Sequence, residues 1–264
     1  MAVGVGVIGA GTVGGGVITL LTSSEQEIAE KTGCDIELVH VCDMSPERFH
    51  GLDLSNVKVS TDAKALLTDP AVQIVCELIG GLEPARTFIL DAFNQGKHVV
   101  TANKMLLAHH GNELAQAALS AGVDLRYEAS VAGGIPIIKA LREGLAANKI
   151  HSVFGILNGT CNYILTRMTQ DGLEFNEALN QAIERGFAET PPDLDVEGHD
   201  TAHKCQIIAS LISSSPVDLK DIYIEGITHL THADVCYARE MGYLIKLLGI
   251  VRVEGDSLEV RIHP

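Results

Sequence analysis

From Glu184 to Lys204 the chain reads ERGFAETPPDLDVEGHDTAHK and gathers five carboxylates, Glu189, Asp193, Asp195, Glu197 and Asp200, within twelve residues. Proline lacks an amide N–H and fixes φ, so Pro191 and Pro192 should stop the preceding helix and hold this segment extended. Apolar spacing at Ala202, Cys205, Ile208, Ala209 and Ile212 then predicts a helix. On that helix Asp200 and Lys204 stand at i and i+4, on one face and about a turn apart. A carboxylate and an ammonium beside an acidic loop suit recognition of a small amino acid and proton transfer to it. The plainer alternative is an acidic surface loop followed by a helical ion pair.

A second group of residues points to a nucleotide. The run Val3–Ile8 reads as a buried strand and is followed by GAGTVG, that is Gly9, Ala10, Gly11, Thr12, Val13 and Gly14. In this setting Gly9 permits the tight turn, Gly11 lets backbone approach a pyrophosphate, and Gly14 allows close packing of helix on strand. The phosphates would meet free N–H groups at the helix N-terminus. Asp43 ends the next strand, where an acid can hydrogen-bond a ribose. It comes later than usual because residues 23–33 extend the intervening segment. An acid here disfavours a 2′-phosphate, although Ser45 and Arg48 could tolerate one; Asp43 could also merely begin a turn.

Behind these residues lies a regular frame. Val3–Ile8, Ile36–Cys42, Ile74–Ile79, His98–Thr101 and Leu125–Glu128 read as strands. Thr12–Leu21, Glu25–Lys31, Ala85–Asn94 and Met105–Ser120 have helical spacing. Such alternation implies a doubly wound, Rossmann-type parallel sheet covered on both faces, over residues 1–130. Ile79-Gly80-Gly81 leaves its strand at the edge where such sheets bind ligands, and can admit a cofactor ring or simply turn. Lys104, in Thr101-Ala102-Asn103-Lys104, leaves the following strand at the same edge and could face the nicotinamide or just start a helix.

After Gly133-Gly134 the rhythm changes, and residues 131–264 read as a separate α+β domain, to which the family resemblance given below assigns catalysis and dimerisation. Pro136 opens a predicted helix through Ala147, and Ile150–Leu157 reads as a strand. Leu244–Val253 and Leu258–Ile262 form a hairpin around Glu254-Gly255-Asp256-Ser257. The uncharged, small-residue run after Glu128, through Pro136, exposes carbonyls that with one carboxylate suit a hard cation; from the residues alone a hinge-like crossover is the preferred reading. His199 and His203 have the spacing of a metal pair but no third partner, and read as surface histidines beside the ion pair.

The composition narrows the options. A chain of 264 residues with 46% apolar content holds one large or two modest domains. A formal charge of −15 argues against nucleic acid and anionic membranes as partners. Residues 3–21 carry no charge, yet seven are glycine and no basic residue precedes them, so a strand and glycine turn explain them better than a membrane span or secretory signal. The six scattered cysteines read as structural thiols of a reducing cytoplasm.

Taken in order, GAGTVG, TANK, EASVAGGIPII, GILNGTCNYIL and GFAETPPDLDVEGHDTAHK resemble homoserine dehydrogenase. The resemblance implies an oxidoreductase interconverting L-homoserine and L-aspartate 4-semialdehyde with NAD or NADP, in the threonine and methionine branch of amino-acid biosynthesis, and a cytoplasmic homodimer. It makes Lys204 the general acid/base, Asp200 and Glu189 substrate contacts, and Asp195 a supporting residue. It places Gly186 against the cofactor and Lys104 near its reactive ring. Glu128, Val131, Gly133 and Ile135 would coordinate a sodium-type monovalent cation, the last three through backbone oxygen. That reading favours a cation over a hinge at 128–135. Two departures stand out: Pro191-Pro192 replaces the family's usual Asp-Pro, and family members continue well past residue 264. The expectation is a C-terminally truncated chain, with a catalytically impaired fragment that only binds dinucleotide as the alternative function.

Overall fold

A computed structural model describes residues 2–188, 190–213 and 215–264, in two compact units, Met1–Gly134 and Ile135–Pro264. The first unit follows the alternation of the sequence. Its elements are β1 (Val3–Ile8), α1 (Thr12–Ser23), α2 (Glu25–Thr32), β2 (Ile36–Cys42), β3 (Lys58–Ser60), α3 (Ala63–Leu67), β4 (Ile74–Glu77), α4 (Ala85–Asn94), β5 (His98–Thr101), α5 (Lys104–Ala121) and β6 (Leu125–Arg126). The strands form one parallel sheet in the order β3-β2-β1-β4-β5-β6. Order reverses between β1 and β4, and ligands of such sheets bind in the crevice at the carboxyl ends there. The β-branched strands supply a core of Val5, Val7, Leu38, Val41 and Cys76, against which Ile18 of α1 packs.

Two glycines fix the first turn. Gly9 takes φ +99, a left-handed conformation that β-carbons oppose. A Cβ on Gly14 would lie 1.7 Å from the Gly9 carbonyl oxygen, so α1 can approach β1 only without one. The short β3 and α3 lacked a sequence signal, because neither is long enough to show periodicity. β4 ends at Glu77 rather than Ile79, since Ile79 N and Gly80 N turn back to the Glu77 carboxylate.

The second unit contains α6 (Ile137–Lys139), β7 (Ser152–Gly155), α7 (Gly159–Asp171), α8 (Phe175–Glu184), α9 (Asp193–Val196), α10 (His199–Ser213), β8 (Tyr223–Ile224), α11 (His232–Glu240), β9 (Leu248–Glu254) and β10 (Ser257–His263). Its sheet runs β7-β9-β10-β8, antiparallel except for β10 with β8. α10 packs on β9 and β10, while α7 packs on α8 and α11.

Two expectations need correction here. The helix predicted from Pro136 through Ala147 is one short turn, α6, that widens into a π turn over Ala140–Gly144. The segment after Pro191-Pro192 is not extended: the Pro192 carbonyl accepts from Asp195 N and Val196 N, and α9 forms at once. Proline tolerates the entrance of a helix because no partner is needed for its nitrogen there. Gly198 (φ +86) then turns the chain from α9 into α10.

Candidate active site

In the second unit, the N-termini of α7 and α10 and the short α9 bring their polar side chains together. Asn158 is the N-cap of α7: its carbonyl oxygen accepts from Cys161 N at 2.8 Å. Its amide nitrogen is therefore free to donate elsewhere, to Asp195 Oδ1 at 2.7 Å and Asp200 Oδ2 at 2.9 Å. Lys204 Nζ donates to the same Asp200 Oδ2 and to the Leu157 carbonyl, each at 2.6 Å. Thr160 donates to the Phe187 carbonyl at 2.6 Å and stands 3.2 Å from Asp195 Oδ2.

These groups open onto a cavity of about 530 Å³ lined by Asn158, Thr160, Asn162, Asp195, Asp200 and Lys204 among others. Asp200 is 8% exposed and Lys204 partly buried, so the pair is partly withdrawn from water at the wall of an open cavity, and its charges interact more strongly than a surface pair would. The Cys161 thiol beneath is pushed up to about 12 by burial and then by Asp195 and Asp200. It stays protonated, donating to the Asp195 carbonyl at 3.2 Å. An ammonium fixed by a carbonyl and a carboxylate keeps a further N–H for a bound oxygen. The site can thus hold and move a proton at a small alcohol or carbonyl.

In the first unit, the turn after β1 is shaped for a phosphate. α1 begins at Gly11 with no side-chain cap and no acid in its first turn, leaving N–H groups for an anion. The nearest atom to a Cβ built on Gly11 would be Arg48 Nη1, 3.8 Å away, so the backbone there is open and overlooked by a guanidinium. Asp43 Oδ2 accepts from Ala10 N at 2.7 Å and from Arg48 Nη1 at 3.2 Å, while Oδ1 accepts from Ser45 N at 2.9 Å. Burial pushes the Asp43 carboxyl up, but the Ser45 and Ala10 amides and Arg48 outweigh it and hold it below the usual range. A dinucleotide fits this cradle. At the carboxyl ends of β4 and β5, the fully buried Glu77 accepts from Thr101 Oγ1 at 2.6 Å as well as from Ile79 N and Gly80 N. Asn103 caps α5 through Leu106 N and donates to the Gly81 carbonyl at 2.7 Å. Glu77 thereby ties the Gly80 turn to the start of α5, where Lys104 sits.

Comparison with known proteins decides the family. Residues 9–128 match the family model "Homoserine dehydrogenase, NAD binding domain", and residues 136–264 match "Homoserine dehydrogenase". The chain is similar to a putative homoserine dehydrogenase of Archaeoglobus fulgidus of known structure, with 33% identity and TM-score 0.86 over 99% of this chain and 84% of that one. This chain belongs to the homoserine dehydrogenase family. A homoserine dehydrogenase structure from Thiobacillus denitrificans superimposes with TM-score 0.95 at 46% identity, covering all of this chain and 61% of that one. The homoserine dehydrogenase of Neisseria gonorrhoeae is 45% identical over 99% of this chain. The chain spans about 60% of the length of the curated relatives it matches.

For this member of the homoserine dehydrogenase family, the structure brings Asp195, Asp200 and Lys204 to one cavity in the second unit. Glu189 lies outside the described residues. Gly186 takes φ +73 in the open turn after α8. Gly9, Gly11, Thr12, Val13, Gly14, Asp43 and Gly80 belong to the first unit, as does Lys104 at the first position of α5. Glu128 opens a short turn through Ser130, and Val131 is fully buried. Gly133 is followed by Gly134 at φ +85, and the Ile135 carbonyl accepts from Ile137 N at 2.8 Å. His203 is not a surface histidine but buried, 8% exposed on α10. Among the described residues no group of three or more His, Cys, Asp or Glu could hold a metal, and no helix is long and apolar enough to cross a membrane.

Asn158, Asn162 and Glu77 had not been singled out. An asparagine just before Gly159 at the start of a helical pattern is an N-cap signal. An acid inside the apolar run Ile74–Ile79 is a signal too, since a buried carboxylate needs partners.

Proposed function

We propose that this chain interconverts L-homoserine and L-aspartate 4-semialdehyde using NAD or NADP. The observation that carries the reading is Lys204, held by Leu157 and Asp200 at a cavity that two carboxylates and five amide or hydroxyl side chains also line. When bound, NAD(P) supplies hydride exchange at the alcohol carbon. Lys204 manages the accompanying proton. In oxidation its neutral amine takes the hydroxyl proton; in reduction its ammonium donates to the carbonyl oxygen. Asp200 and the Leu157 carbonyl fix the direction of Nζ, and Asn158 holds Asp200 and Asp195 in place from the other side. The substrate's ammonium goes to Asp195 on the cavity wall, and Glu189 is the second acid proposed to bind it.

In the first unit, Gly9 to Gly14 would hold the pyrophosphate, and Gly80 with Lys104 would flank the nicotinamide. Asp43 shapes the turn through Ala10, Ser45 and Arg48, and its Oδ1, which accepts from Ser45 alone, keeps a position for a ribose hydroxyl. The 128–135 run would hold a sodium-type cation through Glu128 and the carbonyls of Val131, Gly133 and Ile135. A melting temperature that differs between sodium and a bulky organic cation at equal ionic strength checks that part.

The test of the whole reading is an initial-rate assay. L-homoserine should drive reduction of NAD or NADP, and L-aspartate 4-semialdehyde its reoxidation. A protein that binds dinucleotide but shows neither rate would overturn the reading.

A further inference from the structure

Lys246 follows α11, and its ammonium donates to Asn162 Oδ1 at 2.7 Å and to Thr166 Oγ1 at 3.2 Å. An ammonium is donor only, so the Asn162 atom facing it must be the carbonyl oxygen and the NH₂ group must point the other way. Asn162 lines the cavity that holds Asp195, Asp200 and Lys204, whereas Lys246 lies behind it, on the side of Thr169, Gln170 and Arg239. The Thr166 hydroxyl is itself spent on the Asn162 backbone carbonyl at 2.6 Å. Among the described residues nothing accepts from Asn162 Nδ2. The cavity is therefore presented with a donor polarised by a cation that does not enter it.

From this geometry we infer that Asn162 binds the α-carboxylate of the substrate and that Lys246 is a positioning residue, fixing the orientation of the Asn162 amide. The inference rests on the proposed function and adds how the amino acid is oriented. Asn158 and Asn162 are four residues apart on α7, so they share a face and are separated by about 6 Å along its axis. Asn158 marks the end where Asp200 and Lys204 handle the hydroxyl. One turn along, Asn162 meets the other end of a four-carbon amino acid. The arrangement also answers an electrostatic difficulty. A cavity with Asp195 and Asp200 on its wall attracts an ammonium but repels a carboxylate. A neutral donor backed by Lys246 accepts that carboxylate without pairing off the acids that the ammonium needs. Lys204 already pairs with Asp200, and a second lysine standing in the cavity would take Asp195 as well.

The experiment compares wild type with Asn162→Asp, Lys246→Met and Lys246→Arg, using L-homoserine and its carboxylate-free analogue 3-aminopropan-1-ol. Asn162→Asp keeps the shape and the Lys246 partner but replaces the donor with an acceptor. Its KM for homoserine should rise about 10-fold or more, the range for a lost hydrogen bond to a charged group. The KM for dinucleotide should not change, and kcat/KM for the analogue should fall far less than kcat/KM for homoserine. Lys246→Met should raise KM for homoserine several-fold with kcat nearly kept, and Lys246→Arg should recover most of it. The Asn162 side-chain amide resonance should shift on addition of homoserine and not of the analogue. Unchanged homoserine KM in Asn162→Asp, or equal losses with both substrates, overturns the inference while leaving the reaction intact. A wild type that neither binds nor turns over homoserine overturns the proposed function, and the inference with it.

Discussion

Asp200 Oδ2 lies 2.6 Å from Lys204 Nζ and 2.9 Å from Asn158 Nδ2, so one carboxylate oxygen orients both the ammonium and the amide at the candidate site. Its main task in this account is geometric. Asp200→Asn keeps the shape but offers Lys204 an uncharged partner. We expect kcat to fall by about 10- to 100-fold, because a proton donor displaced from its line of approach loses the benefit of positioning. Dinucleotide affinity should remain as in wild type. Steady-state rates and calorimetric binding measured on the same preparation check both halves.

Asn158 combines two jobs that can be separated by substitution. Asn158→Asp keeps a helix cap but brings a third carboxylate against Asp195 and Asp200. Asn158→Ala removes the cap and leaves both acids without this donor. The alanine variant should lose stability by about 1–3 kcal/mol, the sum of a lost cap and lost hydrogen bonds to charged groups. The aspartate variant should lose activity at least as severely through repulsion. Denaturant melts together with rates on both variants test this; a fully active Asn158→Asp enzyme would contradict it.

Arg48 is the cation nearest the open backbone at Gly11, and its side chain is about half exposed. The acid at the end of β2 led us to expect a preference for NAD over NADP. With Asp43 paired to Arg48 and two amides, that repulsion is largely offset. Arg48→Ala should therefore weaken NADP more than NAD, by about 1 kcal/mol or somewhat more in the ratio of kcat/KM values. Equal effects on the two cofactors would show that Arg48 only braces Asp43.

The first unit also contains a pH-sensitive network away from the nucleotide turn. His40 is fully buried, with Nδ1 3.0 Å from Asp69 Oδ2 and Nε2 3.0 Å from Ser60 Oγ. Burial lowers His40 from its ordinary 6.5 despite Asp69. Asp69 is held at about 2, chiefly by the Ala71 amide and, against burial, by Lys58 and His40. Both groups bind protons more readily when unfolded, so both contribute stability that is lost as pH is lowered. The His40 part is complete above 6.5 and declines below it; the Asp69 part declines from about 3.8 toward 2. Between about pH 7 and pH 5 the melting temperature should drop, and His40→Asn should flatten that slope.

How much of this was legible in the sequence depends on the kind of signal. Gly9, Gly14 and the alternation of strands with helices are local and periodic, and they specify the parallel sheet. Asp200 and Lys204 were readable as a pair because helical spacing alone puts them on one face. The shape of the loop before them was not readable: two prolines suggested an extended chain, whereas the Pro192 carbonyl starts α9 immediately. Asn158 and Asp195 are 37 residues apart, and Lys246 and Asn162 are 84 apart. No periodicity reports such contacts, which arise only when α7, α9, α10 and the segment after α11 pack around one cavity. Glu77 was visible as an acid in an apolar run, but its partner Thr101 stands 24 residues away at the end of β5.

The most direct test is the initial rate of homoserine-dependent NAD(P) reduction in wild type and in Lys204→Ala, with dinucleotide affinity measured alongside. The account expects kcat to fall by at least about 100-fold in the variant, the range for a lost general acid/base, with cofactor affinity unchanged. Near-normal turnover by Lys204→Ala, in a preparation whose wild type oxidises homoserine, would contradict it.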